Sequence, residues 1–396
     1  MRLLKICCSE WINENRDKRE LSVCNELHIE TLVLAKGLEK DKGADDIVDG
    51  FSVKRYSTRP LGRRVPNSIN RVLALFTWAN YARKLTPDII SGHDLWGLTI
   101  GWLSNWFRRD VDKAKLVYDS HEFEIGRNRK RNKLSIYLIK KWEGFLIKKC
   151  DFSIMVNDSI ADEVRRIHRL KTRPIVVRNV PTRWDIDEKE CIQIKMELLK
   201  GFKVPVKQLI MYHGVIGPGR GIEDILLSLN QLKDVGLCLL GRIYSENYYA
   251  SLQKLILDYN VSDKVIFHDA VNIDILWKYI GAADLGICYI VPTTKSYYFA
   301  LPNKLFENIQ AKTPVIVSDL PEMRRIIDEY SVGEVCVANN ADALKNSIRH
   351  ILENEEYRDK LRKNTLFARE VLCWENEKLR LIDAYEKLIK HEEEVR

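Results

Sequence analysis

The residues best suited to chemistry lie in two stretches of the second half of the chain. The first, His213-Gly-Val-Ile-Gly-Pro-Gly-Arg220-Gly221, follows a β-rich run and leads into a helical pattern. Glycines at 214, 219 and 221 allow backbone N–H groups to approach an anion that the start of the next helix also attracts, so phosphate is the natural ligand. The stretch is neither a P-loop, because Arg220-Gly221 stands where Lys-Ser/Thr is needed, nor a dinucleotide fingerprint. The same spacing also suits a tight strand-to-helix turn without a ligand. The second stretch runs Ala300-Leu301-Pro302-Asn303-Lys304-Leu-Phe-Glu307. Pro302 and Asn303 suit a helix start, and Glu307 one turn later could accept two hydroxyl hydrogen bonds from a ribose while open N–H groups receive phosphate. Plain helix capping is the alternative for Glu307.

Other candidates carry less. Asp185-Ile-Asp187 has the form of a metal-binding carboxylate pair but sits in a polar stretch away from any strand end, so no metal site is expected. His93-Asp94 follows the strand-like Ile89 to Gly92 and could line an acceptor side, or simply form a turn. His28, His168, His350 and His391 are scattered on helical or terminal segments and read as structural or solvated. The basic run Arg127-Asn-Arg129-Lys130-Arg131-Asn-Lys133 precedes an apolar helix from Leu134 to Leu146, a pairing that can lie on an anionic membrane or cover the sheet beneath it.

These residues are positioned by alternating short β-rich runs and longer helical patterns, as in parallel βαβ units. Strands are expected at Leu3 to Cys8, Glu30 to Ala35, Phe51 to Tyr56, Ile89 to Gly92, Lys115 to Tyr118, Phe152 to Val156 and Ile175 to Arg178. A second series covers Gln208 to Tyr212, Gly236 to Leu240, Val265 to His268, Leu285 to Tyr289, Pro314 to Val317 and Gly333 to Val337. Pro181, the acidic run from Asp185 and Pro205 interrupt the alternation. The expected organisation is an α/β chain of two doubly wound Rossmann-like domains, 1–185 and 207–372, with a linker at 186–206 and a helix at 373–396 returning to the first domain. Strand C-termini meeting at a central cleft would form the site.

The chain has 396 residues, 45% of them hydrophobic and 30% charged, which exceeds one ordinary core and excludes disorder. The apolar run Leu95 to Phe107 is too short and too interrupted to span a bilayer, and the N-terminus reads as a strand and not a secretion signal. A cytoplasmic protein is expected, with a peripheral contact on the inner membrane face. Nine cysteines without a Cys-x-x-Cys pair argue against disulfides and structural zinc. Net charge is +8, but residues 51–150 alone hold 21 Lys and Arg against 8 Asp and Glu. That favours anionic lipid or a phosphorylated substrate as partner; no zinc finger, ribonucleoprotein motif or recognition helix supports nucleic acid.

Taken in order, the glycine loop at 209–221, Leu239-Leu240-Gly241, Val265-Ile-Phe-His-Asp, Ala283-Asp-Leu-Gly-Ile, the Pro-Asn-Lys-Leu-Phe-Glu helix, Pro314-Val-Ile-Val-Ser and Trp374 resemble the C-terminal half of glycosyltransferase family 4, which has the GT-B fold. Tyr118-Asp-Ser-His121-Glu122 and Val156-Asn-Asp-Ser-Ile extend the resemblance more loosely into the first half. The resemblance implies transfer of a sugar from a UDP- or GDP-sugar to a glycan or lipid-linked acceptor, with retention and without an essential metal or other cofactor. It implies that Arg220 neutralises the leaving diphosphate, Glu307 holds the ribose, backbone from Ala300 to Lys304 cradles the β-phosphate, and His121 faces the sugar, with His93, Asp94 and Glu122 on the acceptor side. Two positions depart from the pattern: Phe299 replaces the first of two glutamates eight apart, and Val215 replaces an arginine after the strand glycine, leaving Lys304 or Arg242 to compensate. A nucleotide-sugar epimerase and an inactive nucleotide-sugar-binding subunit are the rival readings.

Overall fold

The computed structural model describes every residue except 12, 13, 39, 128–131 and 394–396, and 391–393 by backbone alone. Its contacts divide the chain into two units, one of Met1–Arg178 with Glu377–Arg396, the other of Asn179–Asn376.

The first unit holds eight strands: β1 (Arg2–Ile6), β2 (Glu30–Gly37), β3 (Lys42–Val48), β4 (Phe51–Ser57), β5 (Ile89–His93), β6 (Lys115–Ser120), β7 (Phe152–Met155) and β8 (Ile175–Val176). Their order in the sheet is β3-β4-β2-β1-β5-β6-β7-β8. All neighbours are parallel except β3, which pairs antiparallel with β4 at the edge. Periodicity did not reveal β3: Ile47 is 79% exposed and Asp45 and Asp46 turn outward to Lys54 and Arg55, so no apolar alternation marks it. Such charges also protect a sheet edge from further pairing. The sheet centre packs Leu4, Ile6, Leu34, Ile90 and Leu116 against Trp78 and Ile100 of the helices Asn67–Lys84 and Asp94–Trp106. The last helix, Trp374–Glu393, belongs mostly to this unit, where Tyr385 is fully buried and meets Phe152 edge to face.

The second unit is a six-stranded parallel sheet of β9 (Gln208–His213), β10 (Val235–Leu240), β11 (Val265–His268), β12 (Leu285–Cys288), β13 (Val315–Ser318) and β14 (Gly333–Cys336), ordered β11-β10-β9-β12-β13-β14. Every residue of β10 is buried, as expected of a strand covered on both faces. Apolar clusters lie on both sides, one around Ile210, Leu237 and Leu285, another around Leu209, Met211 and Ile280. The stretch expected to be a linker, 186–206, contains the helix Glu188–Leu199. Asp187 caps it by accepting from Lys189 N at 2.8 Å, and Cys191 and Leu198 are buried beneath it. Its polar composition hid a helix with a narrow apolar face, and Asp187 serves as a cap.

Candidate active site

In the second unit, the inner strand β9 carries His213 at its C-terminal end and the chain turns at Gly214, whose φ is 101°. A Cβ there would stand 2.7 Å from Lys304 Cε and would displace the end of the lysine, and the positive φ itself favours glycine. Lys304 lies in the first turn of the helix Asn303–Gln310, with Nζ 3.8 Å from the centroid of the Tyr212 ring. Burial is the main cause of a Lys304 pKa lowered to about 7; Cys288 and Glu307 oppose the shift and Arg220 adds to it. A cation is thus held half-buried against an aromatic face.

Glu307, one turn further along the helix, accepts from His213 Nε2 at 2.8 Å. A carboxylate can only accept, so Nε2 donates, while Nδ1 of the same ring is buried without a hydrogen-bond partner among the described residues. One carboxylate oxygen is thereby held and Oε1 is left to accept a hydroxyl. Arg220 comes from the other end of the glycine loop. It stacks over Tyr297, 5.7 Å from the ring centroid, immediately before Gly221, the left-handed residue that opens the helix Ile222–Leu229. A Cβ at Gly221 would collide with Tyr289 Cδ1 at 2.0 Å. Gly219 completes the turn with a φ of 75° and its carbonyl accepts from Val291 N.

Ala300 and Leu301 pack on the apolar cluster of Leu305 and Phe306, and Pro302 is extended and leads into Asn303. The Ala300 N–H is already donated to Tyr297 O at 3.1 Å. Phe299, at the position of the absent glutamate, is tilted against Tyr298, and Lys295 lies over its ring. Val215, at the position of the absent arginine, is 47% exposed. Of the two cations expected to compensate, Lys304 reaches the glycine loop, whereas Arg242 is exposed and takes part through its carbonyl, which accepts from Ile216 N.

The first unit assembles a second charged centre at the C-terminal ends of β1, β5 and β6. Lys5, fully buried in the middle of β1, has Nζ 2.9 Å from Asp17, 2.5 Å from Glu20 and 3.1 Å from Asp119. Burial opposes its charge, but these three carboxylates hold its pKa well above the ordinary value. Arg16 adds a bond to Asp119 at 2.9 Å, and Tyr385 donates to Glu20. On the same carboxylates rest two stacked imidazoles, His93 and His121, with ring centroids 3.8 Å apart. Asp17 takes His93 Nδ1 at 2.6 Å, while His121 Nε2 lies 3.0 Å from Asp119 and 3.2 Å from Asp17. Burial works against both imidazolium ions, yet Asp17 lifts His93 to about 12, and Asp119 and Asp17 raise His121.

Asp94 links the two loops: its carboxylate accepts from the His121 N–H at 3.0 Å and pairs with Arg127, which also reaches Glu122 at 3.3 Å and Glu124 at 3.1 Å. His93, Asp94, His121 and Glu122 are therefore brought together. Of the histidines read as structural or solvated, His168 is buried on Glu143, the exposed His350 is paired with Glu334, and His28 is exposed. The side chain of His391 and the basic residues Arg129, Lys130 and Arg131 lie outside the described residues.

Compared with known families, residues 200–366 match the model of glycosyl transferases group 1, and residues 25–179 match that of Glycosyltransferase Family 4. The chain belongs to the GT4-type glycosyltransferases. No curated protein matches it. Among solved structures, the glycosyltransferase is similar to sucrose-phosphate synthase from Thermosynechococcus elongatus, with a TM-score of 0.75 and 16% identity over 99% of this chain and 100% of that one. HepE from Anabaena in complex with UDP and glucose gives 0.76 and 13%, covering 98% and 100%. WaaG, a glycosyltransferase involved in lipopolysaccharide biosynthesis, gives 0.65 and 14%, covering 96% and 99%. At these identities the likeness is one of fold, GT-B, with two parallel-sheet Rossmann-like domains.

Motif reading of the glycosyltransferase missed His213 as a partner of Glu307, and missed Lys5, Arg16, Asp17, Glu20 and Asp119 altogether. Lys5 had a signal, being a lone charge inside the apolar strand Leu3-Leu4-Lys5-Ile6. His93 and His121, far apart in the sequence, cluster with acidic groups in three dimensions. Cys7, Glu14, Asp17 and His93 bring ligand atoms within 4.8 Å of one another, as do Asp17, Asp119 and His121. In both groups Asp17 is already neutralised by Lys5, which the short sequence spacings could not show.

Proposed function

We propose that this glycosyltransferase moves a sugar from a nucleoside diphosphate sugar, with UDP or GDP as nucleotide, to a glycan or lipid-linked acceptor with retention of anomeric configuration. The observation that carries this reading is the grouping of Lys304, Arg220 and the His213–Glu307 pair around the positive-φ glycine loop. Breaking the bond between sugar and diphosphate builds negative charge on the phosphate oxygens. Arg220 and Lys304 supply two cations for it, the start of the helix Asn303–Gln310 adds N–H groups and its dipole, and stabilisation of developing charge is where such donors are most effective. Glu307 Oε1 accepts a ribose hydroxyl, its second oxygen being fixed by His213. His121, oriented by Asp17 and Asp119, is the residue assigned to the sugar, and His93, Asp94 and Glu122 to the acceptor. HepE, solved with UDP-glucose, is consistent with a nucleotide sugar as donor.

The test is donor turnover with and without acceptor extracts, across UDP-, GDP- and deoxythymidine-linked sugars. Acceptor-dependent release of nucleoside diphosphate, with a product that keeps the donor's anomeric configuration by NMR, supports the proposal. Turnover without acceptor would indicate epimerisation, and binding without turnover an inactive subunit. Because protein cations serve the diphosphate, activity is expected to survive EDTA.

A further inference from the structure

The helix Lys133–Ile147 carries its surface chemistry in an unusual arrangement. Its inward face is already packed: Leu146 and Ile147 are buried, and Glu143, also buried, accepts from the Tyr118 hydroxyl at 2.9 Å and holds His168 at 3.0 Å. Amphipathic helices of this kind normally present polar side chains outward. Here Leu134 (64% exposed), Tyr137 (54%), Leu138 (56%) and Phe145 (42%) all point to solvent. Their spacing of three, four and seven residues places them in one longitudinal stripe. The stripe continues onto the neighbouring helix, Asp94–Trp106, through Trp102, which meets Phe145 edge to face at 5.4 Å. Trp106 and Phe107, each 63% exposed, extend it.

The charge around the stripe has one sign. Lys133, Lys140, Lys141, Lys148 and Lys149 are exposed on or directly after the helix, and its single carboxylate, Glu143, is the buried one. Lys141 and Lys149 lie over the rings of Tyr137 and Phe145, with the charged ends 5.5 and 6.0 Å from the centroids. Beyond the aromatic end, the acidic groups Asp110 and Asp112 are paired with Lys113 and Arg109.

We propose that this apolar, lysine-flanked stripe is a docking surface for an anionic lipid bilayer, into whose interface Leu134, Tyr137, Leu138 and Phe145 insert while the lysines stay at the headgroups. Long lysine stems can lie along the apolar surface and keep their ammonium groups in water. Aromatic rings suit the boundary between acyl chains and headgroups, and an in-plane helix with this division of residues binds through both apolar area and charge. A bilayer is favoured over a protein partner because the stripe spans two helices with cations beside it and no free carboxylate on the helix itself. The proposal is independent of the donor reading, since it involves none of the residues assigned to donor or acceptor.

The experiment is co-sedimentation of the full chain with vesicles of phosphatidylcholine alone or mixed with about a third phosphatidylglycerol, across a salt series. The wild type should sediment with the anionic vesicles and much less with the neutral ones. Converting Lys140 and Lys141 to Gln should weaken partitioning about fivefold per lysine at low salt, with the difference fading as salt rises. Tyr137→Ser with Leu138→Ser should weaken it at every salt concentration. All four residues are exposed, so melting temperature and turnover of a soluble acceptor should be unchanged. The proposal is overturned if wild type ignores anionic vesicles, or if both double variants bind them as tightly as wild type. It is also overturned if, without lipid, the chain forms a dimer that the Tyr137/Leu138 variant abolishes, which would give the stripe to a second copy.

Discussion

Replacing Lys304 with Met should raise stability while removing donor binding, and the magnitude follows from the setting of the lysine. Its pKa falls from 10.5 in water to about 7 in the folded chain, with burial as the largest cause. Below pH 7 the ammonium is therefore charged in an environment that disfavours it, at a cost of about 5 kcal/mol by the relation of 1.36 kcal/mol per pKa unit. The folded state binds fewer protons here than the unfolded state between pH 7 and 10.5, so this group makes stability rise with pH over that window and contributes a constant penalty below it. Lys304→Met removes the penalty, and at pH 6 the melting temperature should rise by roughly 5–10 °C, given about 2–4 °C per kcal/mol for a unit of this size and some loss to imperfect packing. The gain should shrink toward pH 10.

Diphosphate binding works in the opposite sense. An anion beside Nζ favours the charged form, so at pH 8 binding of UDP or GDP should draw in about one proton, and affinity should fall about tenfold per pH unit above 7. Arg220, Glu307, His213 and Cys288 are the other ionisable groups around the lysine. Titration calorimetry in buffers of different ionisation enthalpy reads the uptake directly. A heat that does not depend on the buffer, together with unchanged nucleotide affinity and no thermal gain in Lys304→Met, would refute the assignment of Lys304 to the diphosphate.

Arg220→Ala should lower kcat by roughly tenfold to a thousandfold, judged from the loss of about a hundredfold to a thousandfold on removing one donor to a developing anion, as read by steady-state kinetics. Glu307→Gln should raise the donor KM more than it lowers kcat, since a ribose contact is equally strong in ground and transition states. Lys5→Met leaves Asp17, Glu20 and Asp119 buried without their cation and should cost about 3–5 kcal/mol in denaturant unfolding at neutral pH. Asp17 and Asp119 have pKa values held well below the ordinary one; burial works against this, and the nearby cations, Lys5 for Asp17 and Arg16 with Lys5 for Asp119, outweigh it. Wild type should therefore lose stability as pH falls below about 4, and the deficit of Lys5→Met should narrow there as its carboxylates protonate.

Alternation of apolar runs and helical patterns was enough to place the parallel strands and the two-unit α/β architecture, because a strand buried on both faces must be apolar throughout. The glycine loop and the Pro-Asn-Lys-Leu-Phe-Glu helix were equally legible, since positive φ and helix starts impose residue types locally. What sequence alone did not determine were pairings between residues far apart in the chain. Nothing in the residues around Lys5 announces Asp119, and nothing around His213 announces Glu307; the parallel order of β1, β5 and β6, and of β9 beside β12, decides those meetings. The edge strand β3 and the helix Glu188–Leu199 escaped notice because mostly exposed elements need no apolar period. The outward stripe of Leu134, Tyr137, Leu138 and Phe145 shows the same division: its residues suited a membrane face or the sheet beneath, and the packing of Leu146, Ile147 and Glu143 shows which face of that helix is already occupied.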